Sequence, residues 1–172
     1  MSFTPREFRN ALGLFPTGVA VVTALNGDGA KVGITVNSFT SVSLEPPLVS
    51  VNLSKHIASY ADLLSAKYFT INVLKKSQHQ LSSQFARAHT DKWADVDFYL
   101  NEYQAPVLQH MLATFECEHY STVDAGDHAI LLGRVLNFDA EPESNPLLFY
   151  RGAYHELSGN DPSRKCMNSC AS

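Results

Sequence analysis

The sequence predicts a mainly β fold with a few helices, a β-barrel with helical decoration, and three observations predict it. Short runs rich in β-branched residues recur along the chain between turn signals, six or more of them. Helical patterns are short and sit at the margins of these runs rather than alternating with them, which disfavours a parallel βαβ architecture. Finally, 172 residues with 45% apolar and 17% charged side chains suit one compact domain and exclude disorder, collagen and coiled coil.

The chain opens on a helix. Thr4-Pro5-Arg6-Glu7 offers an N-cap hydroxyl, a proline at the first helical position and a glutamate three residues after the cap. Phe3 and Phe8 occupy the two positions of a hydrophobic staple, Ala11, Leu12 and Phe15 extend the apolar face, and Pro16 ends it. Val19 to Leu25 and Val32 to Val36 flank Asn26-Gly27-Asp28-Gly29, which reads as a β-hairpin. Phe39 to Leu44 and Leu48 to Leu53 are strands separated by Glu45-Pro46-Pro47, Ile57 to Leu64 is a short helix, and Tyr68 to Leu74 is a further strand.

Ser77-x-x-Gln80 reads as a second capping box, opening a helix with Leu81, Phe85 and Ala88 on one face. Residues 89–105 are polar and irregular, with Trp93, Phe98 and Tyr99 expected to fold back on the core. Leu112 to Tyr120 alternates, with Ala113, Phe115, Cys117 and His119 on one face and Thr114, Glu116 and Glu118 on a face expected to be wet. Ala129 to Phe138 is apolar on both faces and reads as central, joined to its predecessor through a hairpin link from Ser121 to His128. Leu147 to Tyr150 is a last strand. Residues 1–157 form the expected domain, and 158–172, with little to bury, an expected disordered tail.

Charge and motif content exclude several functions. Thirteen basic against seventeen acidic residues leave a net charge of −4, with no field for nucleic acid or an anionic membrane. No apolar run approaches the ~18 residues of a membrane span, and Pro16-Thr17-Gly18 interrupts the only stretch that could resemble a leader, so a cytoplasmic location is expected. Three cysteines, an odd number, fit free thiols in a reducing compartment. The histidines show no metal-ligand spacing, so no metal site is expected. Neither a GxGxxG nor a GxxxxGK[ST] loop is present, and no GxSxG supports covalent hydrolysis.

Three segments could carry chemistry. Thr35 to Ser43 crowds hydroxyls and an amide into a strand-turn-strand junction, groups that can hold the polar edge of a ring or a phosphate without positive charge. The same residues would equally serve as a strand's solvent face, and both readings stand. Asn52-Leu53-Ser54-Lys55-His56 is a second donor cluster where a helix begins, a natural anion site. Gly126-Asp127-His128 puts a histidine beside an acid in a loop that glycine allows to approach a ligand; a solvated loop histidine is the plain alternative.

Six separated blocks, in order, carry a resemblance: Phe15-Pro16-Thr17-Gly18-Val19 with Val21-Val22-Thr23; Gly33 to Phe39 with Ser41-Val42-Ser43 and Pro46-Pro47-Leu48-Val49; Leu53-Ser54-Lys55 with Phe69 to Leu74; Leu81-Ser82 with Phe85-Ala86; Gly126 to Ile130 with Gly133-x-Val135; and Pro146 to Gly152 with Tyr154. From about Phe8 to Leu157 the chain resembles the short-chain flavin reductases, which feed reduced flavin to two-component monooxygenases. The resemblance implies an FMN-binding split β-barrel (flavin reductase-like) with flavin at a homodimer interface. It implies that Thr35, Asn37, Ser38, Phe39, Thr40 and Ser41 hold the ring edge and ribityl chain, and that Ser54 and Lys55 meet the phosphate. Phe85 and Ala86 would lie near the flavin, His128, carried by Gly126 and Asp127, would face the nicotinamide, and Tyr154 would sit close to the same pocket.

The implied activity is hydride transfer from NADH to FMN or FAD, with reduced flavin diffusing to a partner monooxygenase. The absence of an obvious arginine pair favours NADH over NADPH. Two alternatives share the barrel: an oxidase of the pyridoxamine-phosphate type, disfavoured because few Lys or Arg cluster in the sequence, and a flavin- or haem-binding module without turnover.

Overall fold

The computed structural model describes residues 2–88 and 90–157. In chain order the elements are α1 (Pro5–Leu12), β1 (Thr17–Gly18), β2 (Ala20–Leu25), β3 (Lys31–Val36), β4 (Thr40–Leu44), β5 (Pro47–Ser54), α2 (Tyr60–Ser65), β6 (Tyr68–Val73) and α3 (His79–Ala86). They continue with β7 (Phe98–Leu100), β8 (Pro106–Leu108), β9 (Ala113–Ala125), β10 (His128–Ala140), β11 (Leu148–Tyr150) and β12 (Ala153–His155). Seven strands form one antiparallel sheet in the order β3-β2-β6-β9-β10-β5-β4; β1, β11 and β12 form a small second sheet, and β7 and β8 a hairpin. The large sheet curls until β3 lies against β5. No backbone ladder joins these two strands among the described residues, so the barrel is split.

Ser38 stitches the split. Its hydroxyl donates to the Asn52 carbonyl at 3.1 Å and accepts from the Asn52 amide at 2.9 Å, taking the place of a neighbouring strand.

Strand β2 explains two cores at once. Its side chains alternate between faces. Ala20, Val22 and Ala24 enter the barrel with Val51, Leu53, Phe69, Ile71 and Leu131. Val21, with Val19 just ahead of the strand, enters a second cluster with Leu74, Phe85, Leu108 and Leu147. Burial on both faces accounts for the unbroken apolar run. Gly33 makes the junction possible, because a Cβ there would lie 2.6 Å from the Phe85 ring.

Several expectations hold in detail. Thr4 and Glu7 form both bonds of the capping box, and the Phe3 and Phe8 rings meet at 5.6 Å. The Asn26 side chain accepts from the amides of Asp28 and Ala30 and builds the first hairpin turn. Others are corrected. The second capping box does not form: Gln78 accepts from the Lys75 amide at 2.8 Å in a short 3₁₀ turn, Lys76–Gln78, and α3 starts at His79 and ends before Ala88. Residues 98–100 are a strand paired to 106–108 rather than irregular chain. Trp93 and Phe98 do fold back, edge to face at 5.2 Å, but Tyr99 is exposed.

The expected wet face of β9 is buried at Thr114 and Glu116. Asn101 donates to Glu116 Oε2 at 2.6 Å and Asn137 to its Oε1 at 3.1 Å, which is what permits burial. β10 is paired on both sides, although Leu136 and Phe138 near its end are exposed. The link after β9 shrinks to two residues, since β9 runs to Ala125, and β12 is an additional strand. Burial pushes the Cys117 thiol up to about 12 and keeps it protonated. The expected tail, with Cys166 and Cys170, lies outside the described residues.

Candidate active site

The turn between β9 and β10 sets the position of His128. Ala125 pairs with His128, leaving Gly126 and Asp127 as a two-residue connection. Gly126 has a φ of 68°, which glycine adopts freely, and a glycine at this first central position is the signature of a type II′ hairpin turn. The Asp127 carbonyl accepts from the Lys55 amide at 2.9 Å, so the turn is fastened to the end of β5. Across the ladder, Ser54 stands opposite His128.

Asp127 Oδ1 lies 2.7 Å from His128 Nδ1. The hydrogen bond from His128 holds the Asp127 carboxyl below its usual range. An ionised carboxylate only accepts, so Nδ1 carries the proton and Nε2 is left for another partner.

His128 lines a cavity of about 980 Å³. Four stretches build its wall. The end of β3 and the residues after it contribute Ile34 to Ser38, and β5 contributes Asn52, Leu53 and Ser54. The end of α1 and the following loop contribute Arg9 to Phe15, and the β11–β12 region contributes Phe149, Arg151 and Gly152. Although the chain as a whole is acidic, no Asp or Glu among the described residues lines this cavity. Thr17 lines it too, and its buried hydroxyl has no hydrogen-bond partner.

A second cavity of about 730 Å³ adjoins the first through Ile34 and Ile57. Ala86, Arg87 and Lys92 line it, with His56, Asp62 and Asp91. Lys92 Nζ donates to the carbonyls of Gly33 at 3.1 Å and Phe85 at 2.9 Å, and burial pulls its amine below the usual lysine range.

Of the residues singled out from sequence, Thr35, Asn37, Ser38, Ser54 and His128 converge on the first cavity. Thr35 is partly engaged, donating to the Ser82 carbonyl at 2.7 Å. Asp127 reaches the cavity only through His128. The remaining residues lie elsewhere. Phe39 packs into the barrel against Phe115 at 5.3 Å. Thr40 and Ser41 are exposed on β4, where they pair with Ser50 and Val49. Lys55 spends its amine on Asp124, at 3.0 and 2.9 Å to the two oxygens, and that bond raises the lysine above its usual range. Phe85 is fully buried in the second core, and Ala86 lines the second cavity. Gly126 stays on the exposed turn. Tyr154 meets Ser82 Oγ at 2.8 Å and so connects to Thr35 through α3.

Sequence reasoning missed Arg9, Thr17 and Arg151. Thr17 and Arg151 lay inside quoted blocks, but nothing local marks either as a cavity residue. The expectation that cationic side chains do not cluster is corrected, because the fold brings two arginines from opposite ends of the chain to one cavity.

Residues 12–158 match the model of the flavin reductase like domain. The chain is 44% identical over 153 residues to the FMN reductase (NADH) SmoA of Agrobacterium fabrum, covering 89% of this chain and 86% of that protein. It is 45% identical over 149 residues to the reductase component of the flavin-dependent trigonelline monooxygenase of Acinetobacter baylyi, covering 87% of this chain and 48% of that protein. It therefore spans about half the length of the Acinetobacter relative. Among solved structures, the NADH:FAD oxidoreductase SgcE6 of Streptomyces globisporus, in complex with NAD and FAD fragments, superposes with a TM-score of 0.86 at 33% identity, covering 94% of this chain and 99% of that one.

Proposed function

The chain belongs to the flavin reductase-like family, and on that premise we propose that it passes a hydride from NADH to FMN or FAD, releasing reduced flavin for a partner monooxygenase. The observation that carries this reading is His128, anchored by Asp127, at the wall of a cavity whose described lining holds no carboxylate. The residues present fit a flavin. Ile34, Leu53, Ile57 and Phe149 supply apolar surface for a flat ring, and Thr17, Thr35, Asn37 and Ser54 supply polar groups for its edge. The volume falls at the upper end of the ~300–1,000 Å³ usual for small-molecule sites. The Thr17 hydroxyl beside this lining has no hydrogen-bond partner among the described residues, which leaves it able to join a ligand's polar edge.

The flavin, when bound, supplies the hydride acceptor. The protein's contribution is orientation and electrostatics. His128 offers Nε2 to the nicotinamide while Asp127 fixes the ring, and the turn's bond to Lys55 holds both in place. Thr35, stiffened by Ser82, gives the ring edge a fixed neighbour.

Mixing the protein with NADH and FMN or FAD and following the nicotinamide absorbance tests this directly. Flavin-dependent NADH loss is expected. His128→Ala should raise the KM for NADH about tenfold, the size of one lost hydrogen bond to a ligand, with the flavin KM nearly unchanged. No NADH loss with either flavin, and none with NADPH, would sink the assignment.

A second copy of the chain belongs to the proposal. Phe8, Leu12 and Phe15 at the α1 end, Leu44 on β4 and Phe138 on β10 are all more than half exposed, an unusual amount of bare apolar surface for a chain standing alone. Light scattering should return a dimer at micromolar concentration, and a monomer would remove this part. The proposed setting is cytoplasmic, in keeping with the free, buried Cys117. Among the described residues no helix is long and apolar enough to cross a membrane. The arginine pair removes one argument against an oxidase acting on a phosphorylated substrate; what favours the reductase is the family match over residues 12–158.

A further inference from the structure

We propose that Arg9 and Arg151 form a clamp for phosphate oxygens of the pyridine dinucleotide, a step that rests on reading the cavity as the dinucleotide site. The backbone brings the two together. Gly13 follows Arg9 by one helical turn, and its amide donates to the Arg9 carbonyl at 3.0 Å. The Gly13 carbonyl in turn accepts from the Arg151 amide at 2.9 Å. Residues four apart share a helix face, so Arg9 stands over the point where Arg151 is fastened. Arg151 has a φ of 51°, in the left-handed region that a non-glycine residue rarely enters, within the turn between β11 and β12.

The charge pattern points to an anion. Ion pairs among the described residues involve Lys55, Lys75, Lys76 and His128, and neither arginine. Both arginines line one cavity whose described lining holds no carboxylate, and the Arg151 guanidinium, 5.2 Å from the centre of the Tyr150 ring, has no anionic partner among the described residues. The planar guanidinium fork matches phosphate oxygens two at a time. A ligand with a ring at His128 and phosphates at the arginines has the layout of a nicotinamide dinucleotide. Both the diphosphate and a 2′-phosphate offer the same chemistry, and they are separable by experiment.

The test uses ADP-ribose, which carries the diphosphate without the nicotinamide, and 2′-phospho-ADP-ribose, each titrated calorimetrically into the full chain. Arg9→Gln and Arg151→Asn should each weaken ADP-ribose about tenfold, the size of a lost charge-assisted hydrogen bond at a partly exposed site. Asparagine is chosen at 151 because it tolerates left-handed backbone. Arg9→Lys should recover only part of the affinity, since lysine lacks the fork. FMN binding, read by fluorescence quenching, should stay within twofold for every variant. Loss on both probes places the clamp on the diphosphate, and loss confined to the 2′-phospho probe places it on that phosphate. Unchanged affinity for both probes, no binding of either to the unaltered protein at millimolar concentration, or weakened FMN with intact ADP-ribose would each overturn the clamp. Unaltered protein that binds ADP-ribose but oxidises no NADH would overturn the reductase reading and leave the clamp standing.

Discussion

The interior between β2, β6 and β9 and the wall of the large cavity both carry polar side chains, but they treat them differently. In the interior the groups around Asn72 and Glu116 consume one another, and Thr70 alone of the described interior side chains keeps a hydroxyl without a partner. Asn72 donates to the Val21 carbonyl at 2.9 Å and to Thr23 Oγ1 at 3.0 Å, and accepts from the Leu108 amide at 2.9 Å. Thr23 donates its own hydroxyl hydrogen bond to the Pro106 carbonyl, and Glu116 accepts one amide on each oxygen. At the cavity the groups are left with capacity. Thr17 has no partner, the two arginines have no ion pair among the described residues, and His128 keeps one ring nitrogen. Saturated polarity specifies which strands meet, whereas unspent polarity is where a ligand completes the count.

Breaking the saturated side should have the largest effect. Asn72→Leu strands the Leu108 amide and the Val21 carbonyl and should cost about 3 kcal/mol, lowering Tm by roughly 10 °C in calorimetry. Flavin binding per folded molecule should survive, and an unchanged Tm would mean the network is not structural. A smaller and sharper comparison uses the two buried hydroxyls that lack partners, Thr17 and Thr70. Replacing either with valine should leave stability unchanged or raise it by up to about 1 kcal/mol, since no hydrogen bond is lost. Only Thr17→Val should weaken ligand binding, by a few-fold, because Thr17 lines the cavity and Thr70 does not. Equal behaviour of the two variants would erase the distinction between the regions.

Legibility from sequence follows the same divide between local and distant partners. The α1 cap, the Asn26 turn and the Gly126-Asp127 turn are decided within a few residues, and each is visible in the chain's own order. The burial of Glu116 is not, because its alternation resembles a wet strand and its two amide donors come from positions 101 and 137. Ser77 looked like a cap, yet it lies inside the 3₁₀ turn Lys76–Gln78, and α3 begins only at His79. The pairing of the Lys55 amine with Asp124, 69 positions away, is likewise invisible in the local order of the chain. The candidate site divides likewise. The stretch from Thr35 to Ser38 and His128 announced themselves through clustered donors and a glycine turn, whereas Arg9 and Arg151 come to one cavity only when β11 pairs with β1 and the Arg151 amide bonds the Gly13 carbonyl.

The stitch made by Ser38 bears on how a guest enters. A closed barrel has an unbroken main-chain circumference, and widening it means unzipping a ladder. Here the seam between β3 and β5 is held at Asn52 by the two bonds of one hydroxyl, and hydroxyls turn on a single torsion. At that one point, opening the contact gives up two hydroxyl hydrogen bonds and no peptide–peptide bond.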